Sequence, residues 1–310
     1  YRFEGVGYPT VQALIEDHLY TREIITKRSE VVIIRPIPRA TWELNNDQIE
    51  LKEKIGSGQF GEVFRGLLKP TNLEVAIKTC RETLTEDLKR KFLQEGRILK
   101  QYDHPNIVKF IGIAAQRHPV MIVMEYVSGG SLLAFLRFHG ANQRVSALTQ
   151  ICVDVAAGMR YLESNNCLHR DLAARNCLIG ENNIIKISDF GMSREEQEYI
   201  ISGGLKQIPI KWTAPEALNF GLYTWSCDVW SYGILMWEVF SNGGNPYPGL
   251  TNSQARDEVD AGYRMPCPEK CPSNVYKLML SCWNKEPKLR PHFSQIHQQL
   301  IDMKSSLLDF

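Results

Sequence analysis

Apolar residues change their spacing twice along this chain. In "YPTVQALIEDHL", Val11, Leu14, Ile15 and Leu19 fall at helical intervals, and "EVVII" after it reads as a strand. From about residue 48 to 126 strand-like runs dominate, broken by one helix; from 131 onward helical periodicity takes over. Within "EVAIKTC", period-two alternation sets Ala76, Lys78 and Cys80 on one face and Val75, Ile77 and Thr79 on the other. The helix predicted near 85–101 starts at Thr85, an N-cap with Glu86 and Asp87 in the first turn, and carries Leu88, Phe92 and Leu99 as its apolar stripe. "SALTQICVDVAAGMRYLESNN" predicts a second buried-face helix through Leu148, Ile151, Val155, Met159 and Leu162. An α+β chain follows: a small β-rich lobe with one key helix, a larger mainly helical lobe, and "EYVSGGS" as the hinge. Ahead of both, Pro36 and Pro38 in "RPIPRATWELNND" prohibit a regular helix and favour an extended linker, placed at 36–48.

A length of 310 residues suits one large or two modest domains, and 44% apolar with 23% charged residues argues against disorder. Basic and acidic side chains number 36 and 35, with no block of like charge, so nucleic acid is not an expected partner. Cys267 and Cys271 in "CPEKC" lack a second pair or nearby histidines for zinc, and the eight cysteines read as reduced, mostly buried thiols. The uncharged run in "DVWSYGILMWEVF" stops at Glu238, too short for a transmembrane segment. With no signal-peptide pattern at Tyr1, the expectation is a piece of a larger cytoplasmic protein. About 35 N-terminal residues with one helix cannot bury a core alone and are expected to need further chain.

The chemistry sits in a few short stretches. "IGSGQFGEV" carries glycines at 56, 58 and 61; alone this is a flexible turn, but a strand follows it rather than the helix of a dinucleotide site. Such a strand–turn–strand can fold over phosphates with unobstructed backbone amides. Glu95 falls on the buried stripe of its helix and needs a partner, because an unpaired buried carboxylate costs several kcal/mol. Lys78 is the natural candidate, and the pair can hold nucleotide phosphates. Further on, "HRDLAARN" at 169–176 is followed by "CLIGENNIIKISDF", a hairpin turning at Gly180 to Asn183. Its ends bring Asn176 and Asp189 together as oxygen ligands for Mg2+, while Asp171 can accept a proton from an incoming hydroxyl.

The glycine loop, Lys78, Glu95, Asp171, Asn176, Asp189 and "APE" at 214–216, in that order, resemble the protein-kinase set. The resemblance covers 49 to about 305 and implies a bilobal protein-kinase fold that uses ATP with Mg2+, or Mn2+ in its place. It assigns Gly56, Ser57, Gly58, Gly61, Val63, Ala76, Lys78 and Leu178 to nucleotide binding, with Met124 as gatekeeper and Glu125 and Val127 as adenine-facing hinge. It also implies an apolar stack of Leu99, Ile111, His169 and Phe190, support of the catalytic loop by Asp228, and a Glu216–Arg290 pair. Ala173-Ala174-Arg175 resembles the catalytic loop of tyrosine kinases, where the arginine stands in for a lysine of serine/threonine kinases. Lys211-Trp212 in "PIKWTAPE" implies a platform for a tyrosine side chain.

The segment from Asp189 to Glu216 is long, polar and broken by Gly203-Gly204, and reads as regulatory. Tyr199 lies in it beside Glu195, Glu196 and Glu198. Its phosphorylation would add roughly −2 charge, with Arg170 and Arg194 as candidate partners. "FLQEGRILKQYDHPNIVKFIG" and "GGLKQIPIKWTAPEAL" resemble the Fes/Fer group of non-receptor tyrosine kinases, and residues 1–35 resemble the last part of an SH2 domain without its phosphotyrosine-gripping arginine. Phosphotyrosine binding is therefore not expected. The implied partners are tyrosine-bearing protein substrates and a second copy in a transient trans-autophosphorylation dimer, with membrane attachment left to modules outside this chain. Three alternatives stay open at this point: a nucleotide-binding pseudokinase scaffold, a phosphotyrosine adaptor, and serine/threonine specificity. Gly96, where the family more often has alanine, predicts a looser helix. The activation segment is also slightly short before Tyr199, through a deletion or omitted residues.

Overall fold

The computed structural model describes all residues except Ser29, Pro36, Pro38, Gln59, Gln197, 201–207 and 307–310, with 198–200 described through their backbone. Both linker prolines and the Gly203-Gly204 break thus lie outside the described residues. The chain divides into two compact units, Tyr1–Glu43 and Leu44–Phe310.

In the first unit, α1 (Val11–Thr21) is capped by Thr10, whose hydroxyl accepts the Ala13 N–H at 3.0 Å. Leu14 and His18 are its buried positions. "EVVII" does not form the expected strand. Glu30 turns to φ +51°, and the facing segment offers a single bridge, Ile24 to Val32, leaving Val31 and Ile34 exposed. A strand needs a ladder along its length to satisfy its backbone.

The second unit begins inside the stretch read as linker. Leu44 is buried in the sheet core, and the Asn46 amide donates to the carbonyls of Arg117 and Pro119 at 3.1 and 3.0 Å. Five antiparallel strands follow: β1 (Ile49–Ser57), β2 (Glu62–Leu68), β3 (Leu73–Cys80), β4 (Phe110–Ala114) and β5 (Val120–Glu125), in the order β1-β2-β3-β5-β4. Alternation decides which core each residue joins. Val75, Ile77, Met121 and Val123 pack with Leu44 and Ile49, whereas Cys80 and Ile122 pack with Phe60 and Phe92 beneath α2 (Glu86–Leu99). Thr85 caps α2 by accepting the Leu88 N–H at 3.4 Å.

Gly96 has a packing reason. A Cβ there would lie 3.0 Å from Ile113 Cδ1 and 3.2 Å from Ile122 Cδ1, so the glycine lets α2 sit close on β4 and β5, and the helix is continuous through it.

Beyond β5 the chain enters α3 (Leu132–His139) and α4 (Val145–Ser164), whose Leu148, Ile151, Val155, Met159 and Leu162 are all buried. A short hairpin, β6 (Cys177–Ile179) with β7 (Ile185–Ile187), comes next, and β8 (Glu198–Ile200) pairs with β9 (Leu222–Thr224) around α5 (Pro215–Phe220). Then α6 (Trp225–Phe240) runs through the centre, buried from Ser226 to Phe240, with α7 (Asn252–Asp260), α8 (Ser273–Cys282) and α9 (Phe293–Ser306) around it. All eight cysteines are free thiols, Cys267 alone exposed.

Candidate active site

The turn between β1 and β2 carries the glycine loop. Gly58 N–H donates to Gly61 O at 2.8 Å, and Ser57 and Gly58 face solvent. Gly61 is sterically required: a Cβ would stand 2.0 Å from the Thr79 carbonyl oxygen on β3. Phe60 tucks under the loop, its ring 6.0 Å from Phe92 and 5.8 Å from the Lys78 ammonium. Lys78 donates to both Glu95 oxygens at 2.8 and 2.7 Å and reaches Asp189 Oδ1 at 3.5 Å. Burial alone would lower the Lys78 ammonium, but Glu95 and Asp189 outweigh it and hold the group above its ordinary value, so it stays charged.

Beside this pair, Val63 faces Lys78 across the sheet and Ala76 faces Met124. Val63, Ala76, Met124 and Leu178 are each only partly buried, as walls of an open cleft would be. At the end of β5, Glu125 turns its carboxylate to Lys186 at 2.8 Å and to the Lys109 N–H at 2.7 Å, and Val127 beyond it is buried. Gly129 lies so close to β6 that a Cβ would meet the Ile179 oxygen at 2.4 Å.

The loop before β6 is held from below by α6. Asp228 accepts the His169 and Arg170 N–H groups at 2.8 Å each, which fixes Arg170 in a left-handed conformation at φ +68°. The His169 ring accepts the Asp171 N–H at Nδ1 (3.3 Å), so Nε2 carries the proton and donates to Ser188 O at 3.1 Å. Asp171 accepts from Arg175 through one carboxylate oxygen and from Asn176 Nδ2 at 2.8 Å through the other. Burial raises the Asp171 carboxyl, opposed by Arg175 and the Asn176 bond. Across the β6–β7 hairpin, Asp189 is half exposed at φ +61°; burial would raise it, but the Lys78 ammonium holds it below the usual carboxylate range. A hard cation takes oxygen ligands, and the Asn176 amide oxygen with the ionised Asp189 would offer it two.

Two placements differ from expectation. Ile111 packs with the outer sheet core, whereas Phe110, beside it at an irregularity in the β4–β5 register, packs against both the α2 core and the helical-lobe core that holds Leu99 and Phe190. His169 and Phe190 do meet, at 5.1 Å. Lys211 is no surface platform: it is 8% exposed and its ammonium donates to Tyr247 O at 3.3 Å. Trp212 is the half-exposed member, with the Arg175 guanidinium 4.5 Å over its ring.

In β8, Tyr199 pairs with Tyr223 of β9. The Arg170 guanidinium lies 4.2 Å over the Tyr223 ring and donates to Met192 O at 3.0 Å, while Arg194 donates to Ser193 O at 2.7 Å. On the far side, Glu216 and Arg290 form a two-pronged pair at 2.5 and 2.9 Å.

Sequence reasoning passed over Glu238. Its oxygen Oε2 accepts both the Trp212 indole N–H and the Ala174 N–H, each at 3.0 Å. The signal was present, since a carboxylate in an apolar helix calls for partners just as Glu95 does.

Residues 49–300 match the family described as "Protein tyrosine and serine/threonine kinase". The chain is 55% identical over 309 residues to human "Tyrosine-protein kinase Fer", covering 99% of this chain and 38% of that protein. It is 53% identical over 306 residues to "Tyrosine-protein kinase transforming protein Fps" of avian sarcoma virus (strain PRCII), covering 98% and 57%. "Fer-related kinase 1" of Caenorhabditis elegans is 40% identical over 302 residues, covering 96% and 76%. The chain thus spans under two fifths of the length of the human relative.

Proposed function

Because this chain belongs to the protein-kinase family and is similar throughout to tyrosine kinases of the Fer and Fps type, we propose that it transfers the γ-phosphoryl group of ATP to tyrosine hydroxyls of protein substrates. The observation that carries the reading is convergence. Lys78 reaches both Glu95 and Asp189, so one ammonium ties the sheet lobe, α2 and the segment after β7 together at a cleft beside Asp171.

In this reading the Lys78 ammonium binds phosphate oxygens, Glu95 orients it, and the glycine loop of Gly56, Ser57, Gly58 and Gly61 covers them with backbone N–H groups. Val63, Ala76, Leu178 and Met124 surround the adenine, and the backbone of Glu125 and Val127 faces its edge. Asn176 and Asp189 would hold the metal. Mg·ATP, when bound, supplies the transferable phosphoryl group and neutralises its charge. Asp171 accepts the hydroxyl proton, and Arg175 offsets charge beside it. Trp212 supports the phenol, and Tyr199 is the autophosphorylation site, modified in trans by a second copy. Residues 1–35 are read as the end of an SH2 domain on the resemblance of "YRFEGVGYPTVQALIEDHL" and "ITKRSEVVII" alone. The setting is cytoplasmic, with any membrane attachment supplied elsewhere in the whole protein; no helix among the described residues is long and apolar enough to cross a membrane.

Two peptides differing only in tyrosine or serine at the acceptor position, incubated with Mg·ATP and analysed for phosphoamino acid, test the proposal. Phosphotyrosine alone is expected. Equal transfer to serine, or to neither, overturns it.

A further inference from the structure

The segment bearing Asp171 and the segment bearing Trp212 have only short single turns as regular structure of their own. One buried carboxylate joins them. Glu238, near the C-terminal end of α6 and 1% exposed, accepts the Ala174 N–H and the Trp212 indole N–H with the same oxygen. Arg175 follows Ala174, lies over that indole and donates to Asp171. The contacts close a ring: Glu238, Ala174, Arg175, Trp212 and back to Glu238, with Asp171 attached through Arg175.

A carboxylate in this place is costly. Burial pushes Glu238 up to about 7, against the pull of the Trp212 and Ala174 bonds and of Arg175 and Arg137. Those groups face it from the segment before α5, the loop before β6 and α3; the buried Cys177 thiol also lies near it. The folded group keeps its proton up to about 7, whereas an unfolded carboxyl loses it near 4.5, so the acid lowers stability as pH rises between them. A glutamine would fill the same space without that penalty, so packing does not account for the acid.

We propose that Glu238 is a positioning residue for transfer to tyrosine: it fixes the plane of the Trp212 indole and the seat of Arg175, and so sets where Asp171 stands relative to a phenol lying across the indole. The proposal rests on the tyrosine-kinase reading. A phenol hydroxyl stands far from its own backbone, so a small tilt of the supporting ring moves it past the carboxylate, and ordered placement is worth much of the rate. The ionised form accepts both N–H bonds and attracts Arg175, so the arrangement tightens as pH rises through about 7.

The experiment compares the parent chain, Glu238→Gln and, as a half-buried carboxylate on α4 outside the site, Asp154→Asn. Steady-state transfer to a tyrosine peptide is followed from pH 6 to 8.5, alongside urea unfolding at pH 8. For Glu238→Gln, kcat is expected to fall about tenfold or more, the loss of a charge-assisted bond. KM for ATP should stay within about twofold, the decline of kcat on acidification should move below that of the parent, and stability at pH 8 should match or exceed the parent. Should Glu238→Gln fail to fold, Trp212→Phe, which removes the N–H and keeps a ring, is expected to give the same split between kcat and KM. An unchanged kcat, or a loss matched in Asp154→Asn with the pH profile unmoved, overturns the proposal. A parent that phosphorylates no tyrosine instead overturns the kinase reading beneath it.

Discussion

In the sheet lobe, Lys78 on β3 meets α2 through one ion pair, with Glu95 at 2.7 Å; in the helical lobe, α6 sends Asp228, Ser231 and Glu238 into the loops that carry Asp171 and Trp212. Ser231 completes the set by donating to the Trp212 carbonyl at 2.7 Å. The first arrangement hangs a key carboxylate on a single partner plus apolar packing. The second satisfies several buried polar groups from one helix, and buried networks of that kind rigidify what they touch. The loops that carry Asp171 and Trp212 are therefore anchored by several bonds to one helix, and the Lys78 side of the site by a single ion pair to α2; in the proposed reading these are the acid–base and phosphate sides.

The largest effect is expected at the reactive carboxylate. Asp171→Asn should lower peptide phosphorylation by about 10²- to 10⁴-fold, the range for a positioned general base, with stability unimpaired because burial already disfavours the charge. Chemistry and support separate in that variant. Asp228→Ala should cost about 2–4 kcal/mol in urea unfolding, since two buried N–H groups lose their acceptor, and transfer should fall with it. Glu95→Gln sharpens the contrast from the other lobe. KM for ATP should rise while stability drops by only about 1–2 kcal/mol, less than a stranded buried charge would cost, because Asp189 takes up the Lys78 ammonium. Smallest is Gly96→Ala: helix propensity gains up to about 1 kcal/mol, partly offset as the Ile113 and Ile122 side-chain ends move aside. A net gain below about 1 kcal/mol in thermal unfolding, with transfer unaltered, is expected.

What could be read in advance follows from how local each cause is. The strand face of Lys78, the stripe carrying Glu95 and the hairpin joining Asn176 to Asp189 are set by periodicity within a few residues, and are legible in sequence. Phe110 and Ile111 are both apolar, so only the register of β4 against its neighbours tells which faces the helical lobe. Lys211 reads as half of the platform with Trp212 because its partner, the Tyr247 carbonyl, lies far along the chain. The strand at "EVVII" carried the right residues and lacked a partner ladder. Gly96 looked like a propensity defect because the isoleucines it admits lie on two separate strands.

The most direct measurement is phosphosite mapping by mass spectrometry after the parent chain and Asp171→Asn are incubated with Mg·ATP. Phosphotyrosine at Tyr199 in the parent, and none in the variant, is the predicted result. Nucleotide binding by the parent with no phosphotyrosine anywhere would contradict the account and mark the chain as a scaffold.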